Sequence, residues 1–133
     1  MLTKNEYSWH KVSNLLFLES PAGVGYSYNT NSSFPINDAS TGNDNLNAVL
    51  DFFDKFSEYR KNKFWIAGES YAGKYVPYLA TLIDKHNLYF AEEGKKIDFR
   101  GIMVGNGLIS YNNLQNEQVN FLMGHSFLNP EIR

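Results

Sequence analysis

One serine lies where the sequence changes from a strand-like to a helix-like pattern, in residues 63–77, KFWIAGESYAGKYVP. The apolar run stops at Gly68, and Ser70 follows between Glu69 and Tyr71. In open parallel sheets, the turn between a strand and the next helix is where a reactive side chain can be held rigidly in the open. Ser70 is therefore the candidate nucleophile. Such a serine needs an adjacent base to take its proton and an oxyanion hole to stabilise the developing charge.

The residues around Ser70 are small, as a tight nucleophile turn requires. The positions two before and two after the serine must be small so that the helix can pass close to the neighbouring strands. Gly68 and Ala72 satisfy this requirement, and Gly73 follows. Ala72 stands where the strict G-x-S-x-G motif has glycine, so the motif match is incomplete. The alternative is that Ser70 only caps the helix that begins near Ala72, by accepting a hydrogen bond from a free backbone N–H.

The rest of the chain predicts the elements that would position this turn. Short apolar runs predict strands, and apolar residues at helical spacing predict helices. The predicted strands are 12–18, 64–67 and 101–104, and the predicted helices are 39–60, 73–86 and 114–123. Asn37 or Asp38 is expected to cap the first helix, and a turn is expected at 129–130. Alternating strands and helices predict an α/β fold with a parallel sheet that is covered on both faces.

Composition excludes several classes of protein. The 133 residues suffice for one domain with a real core. Acidic residues outnumber basic ones by 14 to 12 and the basic ones are scattered, so we expect neither nucleic acid nor an anionic membrane as a partner. No apolar run approaches the roughly 20 residues of a membrane-spanning helix, and residues 1–13 do not form a signal peptide. Because there is no cysteine and no ligand-like spacing of histidines or carboxylates, we expect neither disulfides nor a metal site.

Three blocks of the sequence resemble a known family. GESYAGKYVP (68–77) resembles the active-site signature of the serine carboxypeptidases, α/β-hydrolase peptidases that remove C-terminal amino acids at acid pH. NLLFLESPAGVGYSY (14–28) and GIMVGNGLIS (101–110) resemble two further blocks of that family, in the same order and at plausible distances. The resemblance covers nearly all of residues 7–128. It implies that residues 1–133 are the middle part of a serine carboxypeptidase-like α/β-hydrolase domain.

The resemblance implies a role for each residue at the turn. Ser70 would form the acyl-enzyme, and the backbone N–H of Tyr71 would be one oxyanion donor. Glu69 would recognise the terminal carboxylate of a peptide: if burial and like charge keep it protonated, it can donate a hydrogen bond that weakens as the pH rises. The alternative for Glu69 is a favourable charge at the N-terminus of a helix. Asn106 would line the pocket edge or merely turn the chain at the end of a strand.

The remaining catalytic groups are not found in the sequence. In α/β hydrolases the aspartate and histidine of the triad follow the serine in chain order. His86 is expected at the end of a helix and His125 resembles a structural histidine of the family, whereas His10 precedes the serine. Asp84 and Asp98 lack the context expected of the triad aspartate. The family's second oxyanion donor comes from a glycine-rich segment that this sequence does not contain, so we expect the isolated chain to be inactive.

The resemblance also implies a setting for the protein. It implies no cofactor, a peptide with a free C-terminus as substrate, and a lysosomal, vacuolar or secreted location. Asn31, followed by Ser32 and Ser33, fits the glycosylation acceptor pattern. Two other functions stay open: an acyltransferase that passes the acyl group to an alcohol, and a non-catalytic truncated or pseudoenzyme segment. The sequence predicts no oligomeric state.

Overall fold

Two parallel strands form the centre of the molecule. The computed structural model describes residues 2–31, 34–129 and 131. Strand β1, Phe64–Glu69, pairs in parallel with strand β2, Phe99–Gly105, and Glu69 lies opposite Gly105. Parallel neighbours require a crossover connection, which here contains a helix, and their carboxyl ends meet at one edge of the sheet. The predicted α/β class is confirmed.

Three helices follow the order that the sequence predicts, with shifted ends. They are α1, Asp38–Lys55; α2, Ala72–Tyr89; and α3, Tyr111–Gly124. Short 3-10 turns occur at Trp9–Lys11 and Ser57–Tyr59. Helix α1 ends before the predicted residue 60 because the chain tightens into the second of these turns. Helices α2 and α3 and both strands extend beyond their predicted ranges.

Helix α1 begins with a reciprocal cap. The Asn37 side-chain oxygen accepts from the Ser40 backbone N–H at 2.9 Å, and the Ser40 hydroxyl accepts from the Asn37 N–H at 3.0 Å. This capping box satisfies two backbone donors at the helix start. Of the two predicted caps, Asn37 is therefore the one used. Asp38 is the first residue of the helix, and its carboxylate takes no part in the capping box.

The core lies between α1, α2 and one face of the sheet. Gly42 of α1 lies so close to Tyr78 of α2 that an added β-carbon would be 2.2 Å from the ring. The two helices can thus pack closely and bury aliphatic and aromatic side chains between them. The buried apolar residues are Val49, Phe53, Ile66, Val76, Leu79, Ile83 and Ile97.

The predicted strand at 12–18 is wrong for the described residues. The sheet contains β1 and β2 alone, and residues 14–20 have no regular secondary structure. A strand is defined by backbone hydrogen bonds to a neighbour, and an apolar run cannot form them without one. Phe17 is correspondingly 85% exposed rather than buried.

The second face of the sheet is also uncovered in the described part of the chain. Ile66 and Val104 pack toward the helices, whereas Trp65 and Met103 on the opposite face are 50% and 51% exposed. Parallel sheets are normally covered on both faces. The prediction of two covered faces is therefore wrong for these residues, because α1 and α2 both pack on the same side.

Candidate functional site

Ser70 lies in a two-residue turn between β1 and α2, with its backbone in the left-handed region. Strand β1 ends at Glu69, helix α2 begins at Ala72, and Ser70 has a φ of 59°. This conformation costs a residue with a β-carbon about 1–2 kcal/mol. A non-glycine residue stays there only when surrounding contacts enforce it, and such strain is concentrated at functional sites.

The last residue of β2, the loop after it and the first turn of α2 supply those contacts. The Ser70 N–H donates to the Gly105 carbonyl at 3.1 Å, and the Ser70 carbonyl accepts from the N–H groups of Leu108 at 2.8 Å and Gly73 at 3.0 Å. Asn106, which follows Gly105 at the start of the loop, also has its backbone in the left-handed region, with a φ of 45°. Main-chain hydrogen bonds of Ser70 therefore connect the carboxyl end of β1 to the carboxyl end of β2.

Two glycines allow this close approach. A β-carbon on Gly68 would lie 2.4 Å from that of Ala72, and one on Gly73 would lie 2.5 Å from the backbone nitrogen of Leu108. Contacts this short do not occur in real structures, so larger residues would displace the backbone. The first turn of α2 thus packs directly against β1 and against the loop after β2.

The Ser70 side chain is exposed and does not cap α2. The N-cap residue of α2 is Tyr71, which makes no side-chain cap hydrogen bond. The capping alternative for Ser70 is therefore not formed in the described residues. Glu69 is exposed as well, so these residues do not provide the burial that its proposed recognition of a carboxylate requires.

The Tyr71 side chain makes contacts that the sequence does not reveal. Its hydroxyl donates to Oδ1 of Asp38 at 3.0 Å, and its ring contacts that of Tyr75 edge to face at 5.0 Å between centroids. Hydrogen bonding by the side chains of Tyr111 and Asp38 raises the pKa of Tyr71. Partial burial and the charge of Asp38 raise the pKa of Tyr75. Because 33 residues separate Asp38 from Tyr71, no local sequence pattern could have indicated this contact.

Among the described residues, no histidine forms a hydrogen bond with Ser70. His86 is in the last turn of α2, about 20 Å from its start at 1.5 Å per residue. His10 contacts the Ser8 hydroxyl, and His125 stacks on Phe121. The structure therefore brings the candidate nucleophile and oxyanion donor together without a base.

Other predicted features lie away from this turn. Asp98 pairs with Arg100 at 2.8 Å, and the described residues contain no group of three or more residues suited to a metal ion. Asn31 is exposed, but Ser32 and Ser33 of its glycosylation pattern lie outside the described residues, as does Pro130 of the predicted turn. Within the described ranges, no helix is both long and apolar enough to cross a membrane.

Comparisons with known proteins agree over almost the whole chain. The model of the serine carboxypeptidase family matches residues 1–132. Serine carboxypeptidase ctsa-4.1 of Caenorhabditis elegans is 45% identical over 130 residues, which are 96% of this chain and 26% of the relative. The lysosomal protective protein of Mus musculus is 40% identical over 131 residues, 98% of this chain and 26% of its own length. A solved prohormone-processing carboxypeptidase from Saccharomyces cerevisiae has a TM-score of 0.84 at 28% identity, over 95% of this chain and 28% of that one.

Fold and comparisons together identify the class and then the family. The parallel sheet with its crossover helix belongs to the α/β-hydrolase class. The chain belongs to the serine carboxypeptidase family. It spans about 26% of the length of the curated relatives that it matches.

Proposed function

We propose that this chain is the nucleophile-bearing part of a serine-type carboxypeptidase that releases C-terminal amino acids from peptides. The observation that carries the proposal is the exposed Ser70, held with a φ of 59° at the carboxyl end of β1 by the loop after β2. A left-handed serine in a strand-turn-helix context is the arrangement that presents a nucleophile above an α/β-hydrolase sheet. Family membership supports the same chemistry, with residues 1–133 as part of one domain.

The reaction would proceed in two displacements. Ser70 Oγ would bond to the carbonyl carbon of the last peptide bond, and a base would take its proton. The backbone N–H of Tyr71 would stabilise the resulting oxyanion. Cleavage of the C–N bond would release the terminal amino acid with a proton, and water would then hydrolyse the ester on Ser70. We assign neither the base nor the second oxyanion donor to a described residue.

Glu69 would give the enzyme its preference for free C-termini. It neighbours the nucleophile and lies opposite Gly105 on β2, at the edge where the carboxyl ends of the strands meet. A hydrogen bond between the Glu69 carboxyl group and the terminal carboxylate of the substrate would select free C-termini over blocked ones. The compartment that we propose, lysosomal, vacuolar or secreted, suits such an enzyme.

The experiment that tests the nucleophile is covalent labelling of the protein purified from its natural source. A fluorophosphonate reacts readily only with an activated serine. Tryptic cleavage after Lys63 and Lys74 yields the peptide 64–74, in which Ser70 is the single serine. We expect the label on this peptide, and not on the peptide that carries Ser110, with heat-denatured protein as the control. Full retention of the unlabelled 64–74 peptide in a preparation that hydrolyses a blocked dipeptide would contradict the proposal.

A second prediction concerns the 133-residue chain by itself. Because its described residues bring no base to Ser70, we expect no measurable hydrolysis of a blocked dipeptide across the acid and neutral pH range. The matched control is the Ser70→Ala variant, which should give the same background rate. Turnover by the unsubstituted chain that this variant abolishes would show that the prediction is wrong.

A further inference from the structure

The starts of three helices meet beside Ser70. Asp38 is the first residue of α1, Tyr71 is the N-cap residue of α2, and Tyr111 is the first residue of α3. Their side chains are within reach of one another, since Asp38 accepts from Tyr71 and Tyr111 also interacts with Tyr71. Lys74, one turn into α2, lies over the Tyr111 ring at 5.4 Å and donates to the Ile109 carbonyl at 3.1 Å.

These contacts hold the side chain of Tyr71, whereas the main chain of the turn is held by other partners. The peptide of Ser70 is already held by the loop after β2. The Tyr71 hydroxyl, at the far end of a rigid side chain, is held by Asp38, and its ring rests on Tyr75. A residue that is fixed at both its peptide and its side-chain end has little freedom to rotate its own backbone N–H.

We propose that Asp38 is a positioning residue that holds Tyr71, and with it the backbone N–H beside Ser70, through its hydrogen bond to the Tyr71 hydroxyl. This inference rests on the proposed function, because it assigns a catalytic purpose to a contact at the proposed oxyanion donor. An oxyanion donor is effective when its direction is fixed before the reaction, so that nothing reorganises as the charge develops. Asp38 touches neither substrate nor nucleophile and acts only through Tyr71.

Asp38 is not needed as a cap of helix α1. The start of α1 is already capped by the Asn37–Ser40 pair. The Asp38 carboxylate instead accepts a hydrogen bond from Tyr71, which lies 33 positions further along the chain. A carboxylate in the first turn of a helix is favourable in itself, so the test must separate that general effect from the contact with Tyr71.

The first measurement shows whether the contact exists in solution. Tyrosine absorbance is titrated at alkaline pH in the 133-residue chain, with Tyr71→Phe identifying the tyrosine that ionises last. Because the partners of Tyr71 favour its neutral form, its pKa is raised and it should ionise after most of the nine tyrosines. Asp38→Asn should bring that step back toward the ordinary range. Asp38 and Tyr111 are the titratable groups that act on Tyr71, whose ring contacts that of Tyr75, while Lys74 lies over the Tyr111 ring.

The second measurement tests positioning by amide hydrogen exchange. The reporters are the N–H groups of Ser70 and Leu108, which are both hydrogen-bonded in the turn. Asp38→Ala and Tyr71→Phe should each accelerate their exchange about tenfold relative to the amide of Ile66 in β1, and the double variant should add little more. Asp44→Ala, which removes an exposed carboxylate from the same helix, is the matched control and should change neither rate. Asp38→Glu, which keeps the carboxylate, should restore part of the protection.

The third measurement separates this inference from the proposed function. In a recombinant protein that carries this chain and hydrolyses a blocked dipeptide, Asp38→Ala should lower kcat about tenfold and leave KM within twofold. A purely structural role would instead lower the fraction of folded enzyme and leave kcat per titrated Ser70 unchanged. If no such protein is active, the proposed function fails and the exchange rates alone decide the inference. Unchanged exchange at Ser70 and Leu108 in Asp38→Ala, or an unchanged kcat per active site in that variant, would overturn it.

Discussion

At the scale of single residues, the site depends on one serine in a conformation that serine disfavours. The φ of 59° at Ser70 is kept by three main-chain hydrogen bonds, to Gly105, Gly73 and Leu108. The small residues around it were identified from the sequence because their steric purpose is local. The exposure of Glu69 was not foreseen, because burial depends on what packs over a residue and not on its neighbours in the chain.

The strain at Ser70 leads to a stability prediction. Glycine adopts the left-handed backbone without the roughly 1–2 kcal/mol that it costs a residue with a β-carbon. A glycine also makes the unfolded chain more flexible, which lowers the free energy of unfolding by about 0.4–1 kcal/mol. Ser70→Gly should therefore raise the free energy of unfolding by about 0.5 kcal/mol relative to Ser70→Ala, which retains a β-carbon. Denaturant unfolding of the two variants measures the difference. A less stable glycine variant would argue against a strained turn.

At the scale of elements, the tight junction of α2 with the loop after β2 decides where Ser70 points. Gly73 of α2 is buried against the backbone of Gly107 and Leu108. The bounds of α2 were predicted to within a few residues because its apolar periodicity is a local signal. Its contact with the loop joins residues more than thirty positions apart, so the sequence pattern could not show it.

This junction predicts the effect of one added methyl group. In Gly73→Ala the new β-carbon would meet the Leu108 nitrogen at 2.5 Å and the Gly107 carbonyl carbon at 2.8 Å, and both are backbone atoms that cannot rotate away. We expect a loss of about 1–3 kcal/mol in the free energy of unfolding and shifted amide resonances for Ser70 and Leu108. Gly124→Ala, where nothing lies within 4 Å of the new carbon, is the control and should be nearly neutral. Equal stability of the two variants would contradict the close packing.

At the scale of the whole molecule, the described residues form an unfinished α/β layer. Helices α1 and α2 cover one face of the sheet, while Trp65 and Met103 are half exposed on the other, and both strands have an unpaired edge. Open strand edges and contiguous apolar surface promote association between chains. The chain also spans only about 26% of the length of its curated relatives.

We therefore predict that the 133-residue chain self-associates through the open face. Met103→Lys should lower the associated fraction in sedimentation velocity, because it places a charge on that face without disturbing the buried side of the sheet. Asn120→Lys, which adds the same charge at an exposed position of α3, should leave association unchanged. Hydrogen exchange should show strong protection only around the buried cluster that includes Val49 and Ile83. An unchanged associated fraction in Met103→Lys would exclude this face as the cause.

The sequence by itself determined the class of the fold, the order of its helices, the strand-turn-helix context of Ser70 and the family. These features follow from local signals: apolar periodicity, capping residues, small residues around a turn and short motifs. Only the tertiary structure decided that residues 12–18 form no strand, that one face of the sheet is open, and that Asp38 holds Tyr71. The reason is physical: strand pairing, burial and side-chain contacts across 33 residues depend on which surfaces meet in space.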